Sequence, residues 1–453
     1  MQHVHRFTRL SALALGITGA LAIGQVHASA FQIKENSVKA QGRSYAGSGV
    51  AKDDASVVSN NPATMAQFKG TTFQADVTVI DLGFEFTGGG YDAIGRPITG
   101  GDGGDAGDVI PVPAMSFIHK FESTGIAVGA QVSAPFGLKT EYEAGWVGRY
   151  YADKSDLKTV DLTLSAALDI IPDRLSVGAG LVYERADVTL SKAVDFGALL
   201  FGQLPPAQRP FAPSFARPQG ADGHAEVEGD DTGLGWIVGV NLRPTDKLAI
   251  GLSYRSEIDH EIDGNVTWTV PAPVRATLDS RPQTSPLFRN GGAGADLTTP
   301  SVTTVSVSYQ FTDKFQLLAD YSETGWKSLQ QINIDFDNPD PNSIEQFRWD
   351  DTRFYSIGGE YKFNDAWTFR AGWAFDETPT TFATRTPRLP DEDRTWYSVG
   401  ASWQATQNLE VSFAYTYLDV SNPQIGLTEG GHTLFGEYDA TINLYGVSAK
   451  YNF

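Results

Sequence analysis

Strict alternation of apolar with small or polar residues constrains this chain more than any other feature. Within residues 174–190, every odd position from Leu175 to Tyr183 is apolar, and most even positions are Ser, Gly or Glu. The last stretch alternates in the same way, with Tyr445, Val447 and Ala449 leading to a terminal Phe453. Successive side chains of a strand point to opposite faces, so this period of two predicts strands with one apolar face.

The same pattern recurs from about residue 71 to the C-terminus. It predicts about fourteen strands, at 72–86, 112–122, 125–135, 158–170, 174–190, 224–243, 246–268, 299–311, 314–337, 346–363, 365–377, 392–405, 408–419 and 438–453. Tight turns and long loops alternate between them. An even number of strands joined in this way predicts an all-β fold, a 14-stranded antiparallel transmembrane β-barrel with both termini in the periplasm. Closure removes the unpaired sheet edges that hydrocarbon cannot tolerate.

Composition agrees with a barrel and excludes some partners. Charged residues make up 19% of the chain and aromatic residues 11%, so the average hydropathy is mild, as alternation requires. The formal net charge is −20, which disfavours nucleic acid, and there is no cysteine to form a disulfide framework. Residues 1–28 read as a signal peptide, with Arg6 and Arg9 before an apolar run; cleavage after Ala28 is favoured over cleavage after Ala30.

The segment from Phe31 to Gly70 lacks the alternation. It is rich in Gly, Ala, Ser and Asn and is interrupted by Gly42 and Pro62, so it is neither a strand nor a membrane span. A compact polar segment ahead of a closed set of strands predicts a plug. The expected organisation is a signal peptide at 1–28, an N-terminal hatch at 29–70 and a barrel at 71–453.

Catalytic and metal-binding patterns are missing from the sequence. After the signal peptide the histidines are His119, His224, His260 and His432, and none has metal-ligand spacing or an evident nucleophile partner. The expectation is therefore no enzyme, no catalytic residues, no cofactor and no resident metal. The Gly/Asp-rich stretch 99–108 leaves two alternatives open, a bound calcium ion or a flexible acidic surface loop.

Two long loops, at 191–223 and 269–298, carry more apolar residues than a water-facing loop needs. Helical spacing of Leu199, Leu200 and Leu204 predicts a short helix before Pro205. Either the loops bury their own core or they present a hydrophobic groove to an apolar ligand, and both can hold. The predicted groove residues are Phe196, Leu199, Leu200, Phe201, Leu204, Phe211, Phe215, Leu287 and Phe288.

Several motifs, in this order, resemble the FadL/TodX family of outer-membrane transporters. They are AFQIKENS, GRSYAGSG, Asn61-Pro62-Ala63, PFGLKTEY at 135–142, GWIVGVNLRPTDKLAIGLSYRSEI at 235–258, WKSLQQINIDF at 326–336, DAWTFRAGWAFDETP at 365–379 and LPDEDRTWYSVGASW at 389–403. The resemblance covers nearly the whole chain after the signal peptide. It implies a fourteen-stranded barrel plugged by a hatch, in the outer membrane of a Gram-negative bacterium.

The resemblance also implies a route for the cargo. Long-chain fatty acids or aromatic hydrocarbons would pass from an outer groove to an internal pocket and leave sideways into the membrane, without an energy source. Phe31 would move, and the third strand would kink at Gly129 or near Pro135; alternatively Gly129 only makes room for the plug. Phe453 would touch the pocket or serve as an assembly signal for the barrel assembly machinery.

A carboxylate cargo needs a cation in an apolar pocket. The candidates are Arg149, Arg185 and Arg348, at loop or strand ends. The expected surroundings are outer-membrane lipid and lipopolysaccharide around a monomer. The alternatives to a transporter of hydrophobic molecules are a hydrophilic general porin and an outer-membrane barrel enzyme or adhesin.

Overall fold

The structure, a computed structural model, describes residues 30–453, so the predicted signal peptide lies outside the described residues. The strands are β1 (Thr71–Tyr91), β2 (Val109–Phe121), β3 (Ile126–Ser133), β4 (Gly137–Glu141), β5 (Lys154–Ile171), β6 (Leu175–Asp195), β7 (Asp222–Thr245), β8 (Leu248–Arg255), β9 (Ile258–Thr269), β10 (Gly291–Thr299), β11 (Val302–Thr312), β12 (Phe315–Thr324), β13 (Gln331–Phe336), β14 (Ser343–Gln346), β15 (Thr352–Lys362), β16 (Trp367–Asp376), β17 (Arg394–Gln404), β18 (Leu409–Val420), β19 (Gln424–Glu429) and β20 (His432–Asn452). The α-helices are α1 (Val38–Gln41), α2 (Val57–Asn60), α3 (Phe196–Gln203) and α4 (Ala272–Asp279).

All strands belong to one antiparallel sheet that closes on itself. The last strand, β20, pairs with β1 along nearly its whole length, from Asn452 opposite Thr72 to Thr433 opposite Tyr91. Six barrel strands are each interrupted once, so that β3–β4, β8–β9, β10–β11, β12–β13, β14–β15 and β18–β19 act as single strands. The predicted 14-stranded antiparallel barrel is confirmed. The eighth strand begins at Gly291 rather than 299, and the last begins at His432 rather than 438.

The alternation in the sequence separates the two faces of the wall. On β6, Ser176 and Glu184 are completely buried inside, whereas Leu181 is 70% exposed on the outer face. The outer face carries the apolar side chains because it meets hydrocarbon, and the inner face carries small or polar residues that fit the hatch. Among residues 30–453, no helix is long and apolar enough to cross a membrane.

Residues 30–70 lie inside the barrel as two single-turn helices and a 3₁₀ helix (Pro62–Gln67). Ser37 caps α1 by accepting a hydrogen bond from the Ala40 amide, and the Asn61 side chain accepts one from the Ala63 amide. Other hatch amides donate to polar side chains of the wall, as Gly47 does to Asp320 (2.7 Å), so the segment is satisfied by its own turns and by the wall without a place in the sheet. We call residues 30–70 the hatch.

Buried ion pairs attach the hatch to one side of the wall. Lys39 is fully buried and pairs with Asp53 of the hatch and with Glu410 on β18 (2.9 Å). Arg43 pairs with Glu360 on β15 (2.7 Å). Breaking one partner of a buried pair leaves an uncompensated charge at a cost of ~3–5 kcal/mol, so this side of the hatch is fixed.

Candidate functional site: an apolar path from the outer loops to the third strand

The two long loops pack against each other at the outer end of the barrel. Asp195 caps α3 by accepting a hydrogen bond from the Ala198 amide (2.7 Å). Phe196 and Leu200 of α3 are buried in one cluster with Val274 and Leu278 of α4. The loops therefore have a core of their own, and α3 is the helix predicted before Pro205.

A cavity of about 200 Å³ lies beside this cluster and forms an outer groove. Trp268 and Phe288 contribute its aromatic wall, with their ring centroids 5.0 Å apart. Lys192 and the buried Arg388 also line it, and both approach one carboxylate, Glu345, at 3.8 and 3.5 Å. Asp340 lines the groove as well, so its two cations are balanced by two carboxylates, but neither Lys192 Nζ nor Arg388 Nε makes a hydrogen bond to Glu345.

The apolar lining continues inward from the outer groove. Leu190 and Val227 line both this groove and a deeper cavity of about 40 Å³. The deeper cavity is in turn lined by Leu157, Ile262 and Leu297, which belong to the cluster around Phe31. Shared side chains thus connect the outer loops to the interior without a polar interruption in the shared lining.

Phe31 is the centre of an inner aromatic cluster formed by Phe31, Phe136, Trp326 and Trp349. Its ring lies 4.7 Å from that of Trp326, 5.8 Å from Trp349 and 5.9 Å from Phe136, measured between centroids. Phe31 is 3% exposed. The indole Nε1 atoms of Trp326 and Trp349 are buried without a hydrogen-bond acceptor among the described residues. Phe31 therefore fills the end of the apolar path.

The third barrel strand is broken next to this cluster. β3 ends at Ser133 and β4 begins at Gly137, with Pro135 in the break. The hatch covers the break with two backbone hydrogen bonds, from the Ile33 amide to the Pro135 carbonyl (2.7 Å) and from the Gly137 amide to the Phe31 carbonyl (2.8 Å). Proline cannot donate to a ladder, so a break there is expected.

Below the cluster, a cavity of about 110 Å³ has a polar lining that includes Gln32, Lys34, Arg255 and Asp320. Glu35 next to it is buried with Oε2 unpartnered. Burial raises the pKa of Glu35 to about 7, against the opposing effects of backbone hydrogen bonds and of Arg394 and Lys34. An apolar cargo would lose its burial by moving down into this polar space.

Gly129 lies inside the continuous strand β3, not at the break. A Cβ atom at Gly129 would meet Met65 Sδ at 2.5 Å and Val58 Cγ2 at 2.7 Å, both in the hatch. The structure thus contradicts the kink at Gly129, because this glycine makes room for the plug; the break adjoins Pro135.

The predicted motif Asn61-Pro62-Ala63 lies where the hatch meets β6 and β7. The side-chain amide of Asn61 donates to the Val240 carbonyl (3.1 Å), and the backbone carbonyl of Ala63 accepts from Ser176 Oγ (2.8 Å). A Cβ atom at Gly178 would lie 2.5 Å from the Ala63 nitrogen. The motif is therefore a close backbone contact between hatch and wall.

The cations predicted for a ligand carboxylate do not lie on the path. Arg149 is used in the loops, where it pairs with Asp222 (2.9 Å) and donates to the Thr99 and Trp146 carbonyls. Arg185 is on the outer face of β6 and pairs with Asp187 and Asp230. Arg348 is exposed in the segment before β15. These three predictions are wrong because alternation and loop packing, not distance along the chain, decide where a side chain points.

Phe453 also lies away from the inner cluster. It is 75% exposed at the periplasmic end, and its amide donates to the Thr71 carbonyl (2.9 Å). Contact of Phe453 with the pocket is therefore contradicted. Sequence reasoning missed Lys192, Arg388, Trp326 and Trp349 as site residues. Lys192 lies in the apolar loop 191–223 and Trp326 in the motif at 326–336, whereas Arg388 and Trp349 lie in no such stretch.

The predicted groove residues divide by exposure. Phe196 and Leu200 are buried, Leu199 is 44% exposed and Phe211 is 85% exposed. The half-buried members are Phe201, Leu204, Phe215, Leu287 and Phe288. Among all of these, Phe288 is the one that lines the outer groove; most of its other walls come from β6, β7 and the segment 334–345.

The acidic stretch 99–108 is folded against the loops. Asp105 accepts hydrogen bonds from the Phe84 and Gly107 amides, and Asp108 pairs with Lys139 (2.5 Å). Across residues 30–453 no group of three or more His, Cys, Asp or Glu side chains could hold a metal ion. The carboxylates of this stretch thus serve turns and an ion pair.

Known proteins share this whole architecture. Residues 19–453 match the family described as "Outer membrane protein transport protein (OMPP1/FadL/TodX)". The chain is 28% identical to "Outer membrane protein P1" of Haemophilus influenzae, over 96% of this chain and 97% of that protein. It is 27% identical to the "Long-chain fatty acid transport protein" of Escherichia coli K12, over 97% and 98%.

Solved structures give the same result. A FadL homologue from Pseudomonas aeruginosa superimposes with a TM-score of 0.86 at 26% identity, covering 94% of this chain and all of that one. The toluene transporter TodX of Pseudomonas putida has the same fold at 16% identity, with a TM-score of 0.66 over 94% of this chain and all of that one. The expected Gram-negative outer-membrane location is confirmed, and the chain is a transporter of hydrophobic compounds rather than an enzyme. By the match over residues 19–453, it belongs to the OMPP1/FadL/TodX family of outer-membrane transport proteins.

Proposed function

We propose that this protein takes up long-chain fatty acids through the outer groove, the inner aromatic cluster and the break in the third strand. The observation that carries the proposal is the continuous apolar lining from Trp268 and Phe288 to Phe31. Each buried CH₂ group contributes about 0.8 kcal/mol, so a long acyl chain gains by entering this path. Uptake is passive and follows the concentration of free cargo.

Two features of the path favour a cargo with an anionic head group over a neutral hydrocarbon. Lys192 and Arg388 place two cationic side chains in the outer groove at 3.8 and 3.5 Å from Glu345, without a hydrogen bond from Lys192 Nζ or Arg388 Nε to that carboxylate, so both can approach a ligand carboxylate. Deeper in, the two unpaired indole N–H groups of Trp326 and Trp349 leave donors for a carboxyl group. Leaving such buried donors unpaired costs about 1–3 kcal/mol each, which a carboxyl oxygen would offset. A toluene-like cargo would satisfy neither feature.

The exit is sideways, through the wall. Cargo that displaces the Phe31 ring also disturbs the two hydrogen bonds that hold the hatch over the break at Pro135. The fixed ion pairs of Lys39 and Arg43 keep the rest of the hatch in place. Only the segment before Ser37 then needs to move, and the polar cavity under it disfavours a downward route.

Uptake of labelled oleate and of labelled toluene, by cells with and without the full-length chain, tests this proposal. We expect oleate uptake to depend strongly on the protein and toluene uptake to depend on it weakly. The reverse order would assign the protein to aromatic hydrocarbons, and uptake of a small sugar instead would indicate a hydrophilic porin.

The remaining expectations about the protein's surroundings belong to the same proposal. Cleavage after Ala28 would leave two residues before Phe31, whose carbonyl accepts a hydrogen bond from the Gly137 amide of the third strand. The aromatic C-terminal residue Phe453 is exposed at the periplasmic end, where it is accessible for binding by the barrel assembly machinery. The lipid-facing aromatic residues suit a monomer surrounded by lipid and lipopolysaccharide.

A further inference from the structure

The loop between α3 and β7 contains a rigid knob, residues 204–217, that the proposed route does not use. Phe211 at its tip is 85% exposed, more than any other large apolar side chain among the described residues. Pro205, Pro206, Pro210 and Pro213 limit its backbone. Burying a phenylalanine side chain contributes about 1.5–3 kcal/mol, so contact with an apolar partner would be favourable for Phe211.

Two arginines brace the knob from within. Arg217 donates from Nε to the Ala212 carbonyl (2.9 Å) and from Nη2 to the Pro210 carbonyl (3.2 Å), on either side of Phe211. Arg209 donates to the Leu204 carbonyl (3.2 Å) and lies over the Phe201 ring at 5.5 Å. Phe211 is thus held in place on a stiff support.

The charge of the knob is opposite to that of the protein. No Asp or Glu occurs from Phe196 to Ala221, although the whole chain has a formal net charge of −20. In the part of the chain that the structure describes, neither Arg209 nor Arg217 forms a salt bridge. An aromatic tip on a cationic support fits a surface that is both apolar and anionic.

The position of the knob excludes the protein's own bilayer as that surface. Strand β6 continues from Arg185, on the outer face, to Asp195; at 3.3 Å per residue and a tilt of about 40°, this part of the strand rises roughly 25 Å above the lipid-facing side chains. The knob is continuous with the groove loops, because Phe215 packs into the cluster of Phe196 and Leu200. A partner on the knob would therefore release molecules close to the outer groove.

We propose that the knob docks anionic lipid aggregates, the micelles or vesicles in which long-chain fatty acids disperse in water. Phe211 inserts between acyl chains while Arg209 and Arg217 attract the carboxylate surface. This inference rests on the proposed function for its biological sense, but the docking itself requires no transport. It assigns the knob a role in capture from aggregates that the groove alone does not have.

Co-flotation tests the docking directly. The full-length protein in lipid nanodiscs would be mixed with phosphatidylcholine vesicles, with or without added oleate. We expect binding to the oleate-containing vesicles, weakened by salt, and a loss of about tenfold or more with Phe211→Ser. Phe211→Leu should retain binding. Phe382→Ser is the matched control, because Phe382 is 57% exposed in another loop that contains acidic residues.

Three results would overturn the proposal. The first is that Phe211→Ser binds oleate-containing vesicles as well as the unaltered protein does. The second is that Phe382→Ser loses as much binding as Phe211→Ser, and the third is that binding does not depend on the charge of the vesicles. Uptake adds a second readout. Phe211→Ser should slow uptake of oleate from vesicles and leave uptake of albumin-bound oleate unchanged; an equal loss from both sources would place Phe211 in the groove and also overturn docking. If the unaltered chain takes up no oleate from either source, the proposed function fails, and co-flotation still decides the docking.

Discussion

The backbone amide of Gly137 donates a hydrogen bond of 2.8 Å to the carbonyl of Phe31, across the break in the third barrel strand. The residue that fills the inner aromatic cluster is thereby bonded, through its own backbone, to the point where the wall is incomplete. Movement of the Phe31 ring and opening of the wall are thus coupled by a direct bond rather than by a distant relay.

A disulfide across this contact should close the exit. Gln32 lies directly opposite Phe136 in an antiparallel bridge, and the flanking hydrogen bonds make it the closely spaced kind of pair that suits a disulfide. The chain has no cysteine, so Gln32→Cys with Phe136→Cys gives one possible pair. Cells that carry the double variant should lose most oleate uptake when an oxidant forms the disulfide, and a reductant should restore the uptake. Full uptake by the oxidised form would show that the segment need not move.

Two glycines on the wall should respond differently to a methyl group. At Gly178 a Cβ atom would meet hatch backbone, with Ala63 N at 2.5 Å and Pro62 C at 2.6 Å. At Gly129 its two nearest neighbours are the side-chain ends of Met65 and Val58, which can shift. Gly178→Ala should reduce the free energy of unfolding by about 1–3 kcal/mol and Gly129→Ala by less. Thermal unfolding followed by circular dichroism in detergent measures both, and equal losses would contradict the packing assigned to Asn61-Pro62-Ala63.

Removing the charge of Lys192 should separate acids from alcohols. Lys192→Met keeps the length of the side chain but removes one of the two cations of the outer groove and leaves Arg388 alone with Glu345 and Asp340. We expect oleate to bind about three- to tenfold more weakly, whereas oleyl alcohol should bind as before. Competition binding in detergent-free nanodiscs measures the ratio. Equal changes for both ligands would indicate that Lys192 does not sense the head group.

The N-terminal segment should open more easily as the pH rises. The folded-state pKa of Glu35, about 7, lies above its ordinary value near 4.5, because burial disfavours the carboxylate. The stability that this group contributes is therefore fully present below pH 4.5 and is lost as the pH rises through 7. Lys34 and the positive Arg394, which face Glu35, moderate the shift.

Hydrogen exchange of the Ile33 and Gly137 amides measures this opening. After correction for the intrinsic pH dependence of exchange, it should be faster at pH 8 than at pH 5 in the unaltered chain. Glu35→Gln should remove the dependence, because an amide does not titrate. A variant that keeps the full pH dependence would attribute it to another group.

Sequence alone determined the barrel, because a period of two over strand length has few other solutions in a membrane. It placed the barrel strands within about five residues, except where strands extend beyond the alternating core to Glu141, Gly291, Glu429 and His432. It also separated residues 29–70 and the long outer loops from the strands, whereas the third strand was singled out by the family resemblance and not by the alternation. What it could not determine was which side chains share one space.

Tertiary structure decided the site. Alternation alone places Arg185 on the outer face of β6 with Leu181, whereas the adjacent Glu184 is buried inside, but alternation does not show which cations reach the groove. Lys192 and Arg388 are far apart in the chain and meet only because β6 and the loop before β17 approach Glu345. Alternation fixes the two faces of each strand locally, whereas closure of the barrel and loop packing bring distant residues together, and the path through the wall depends on those long-range contacts.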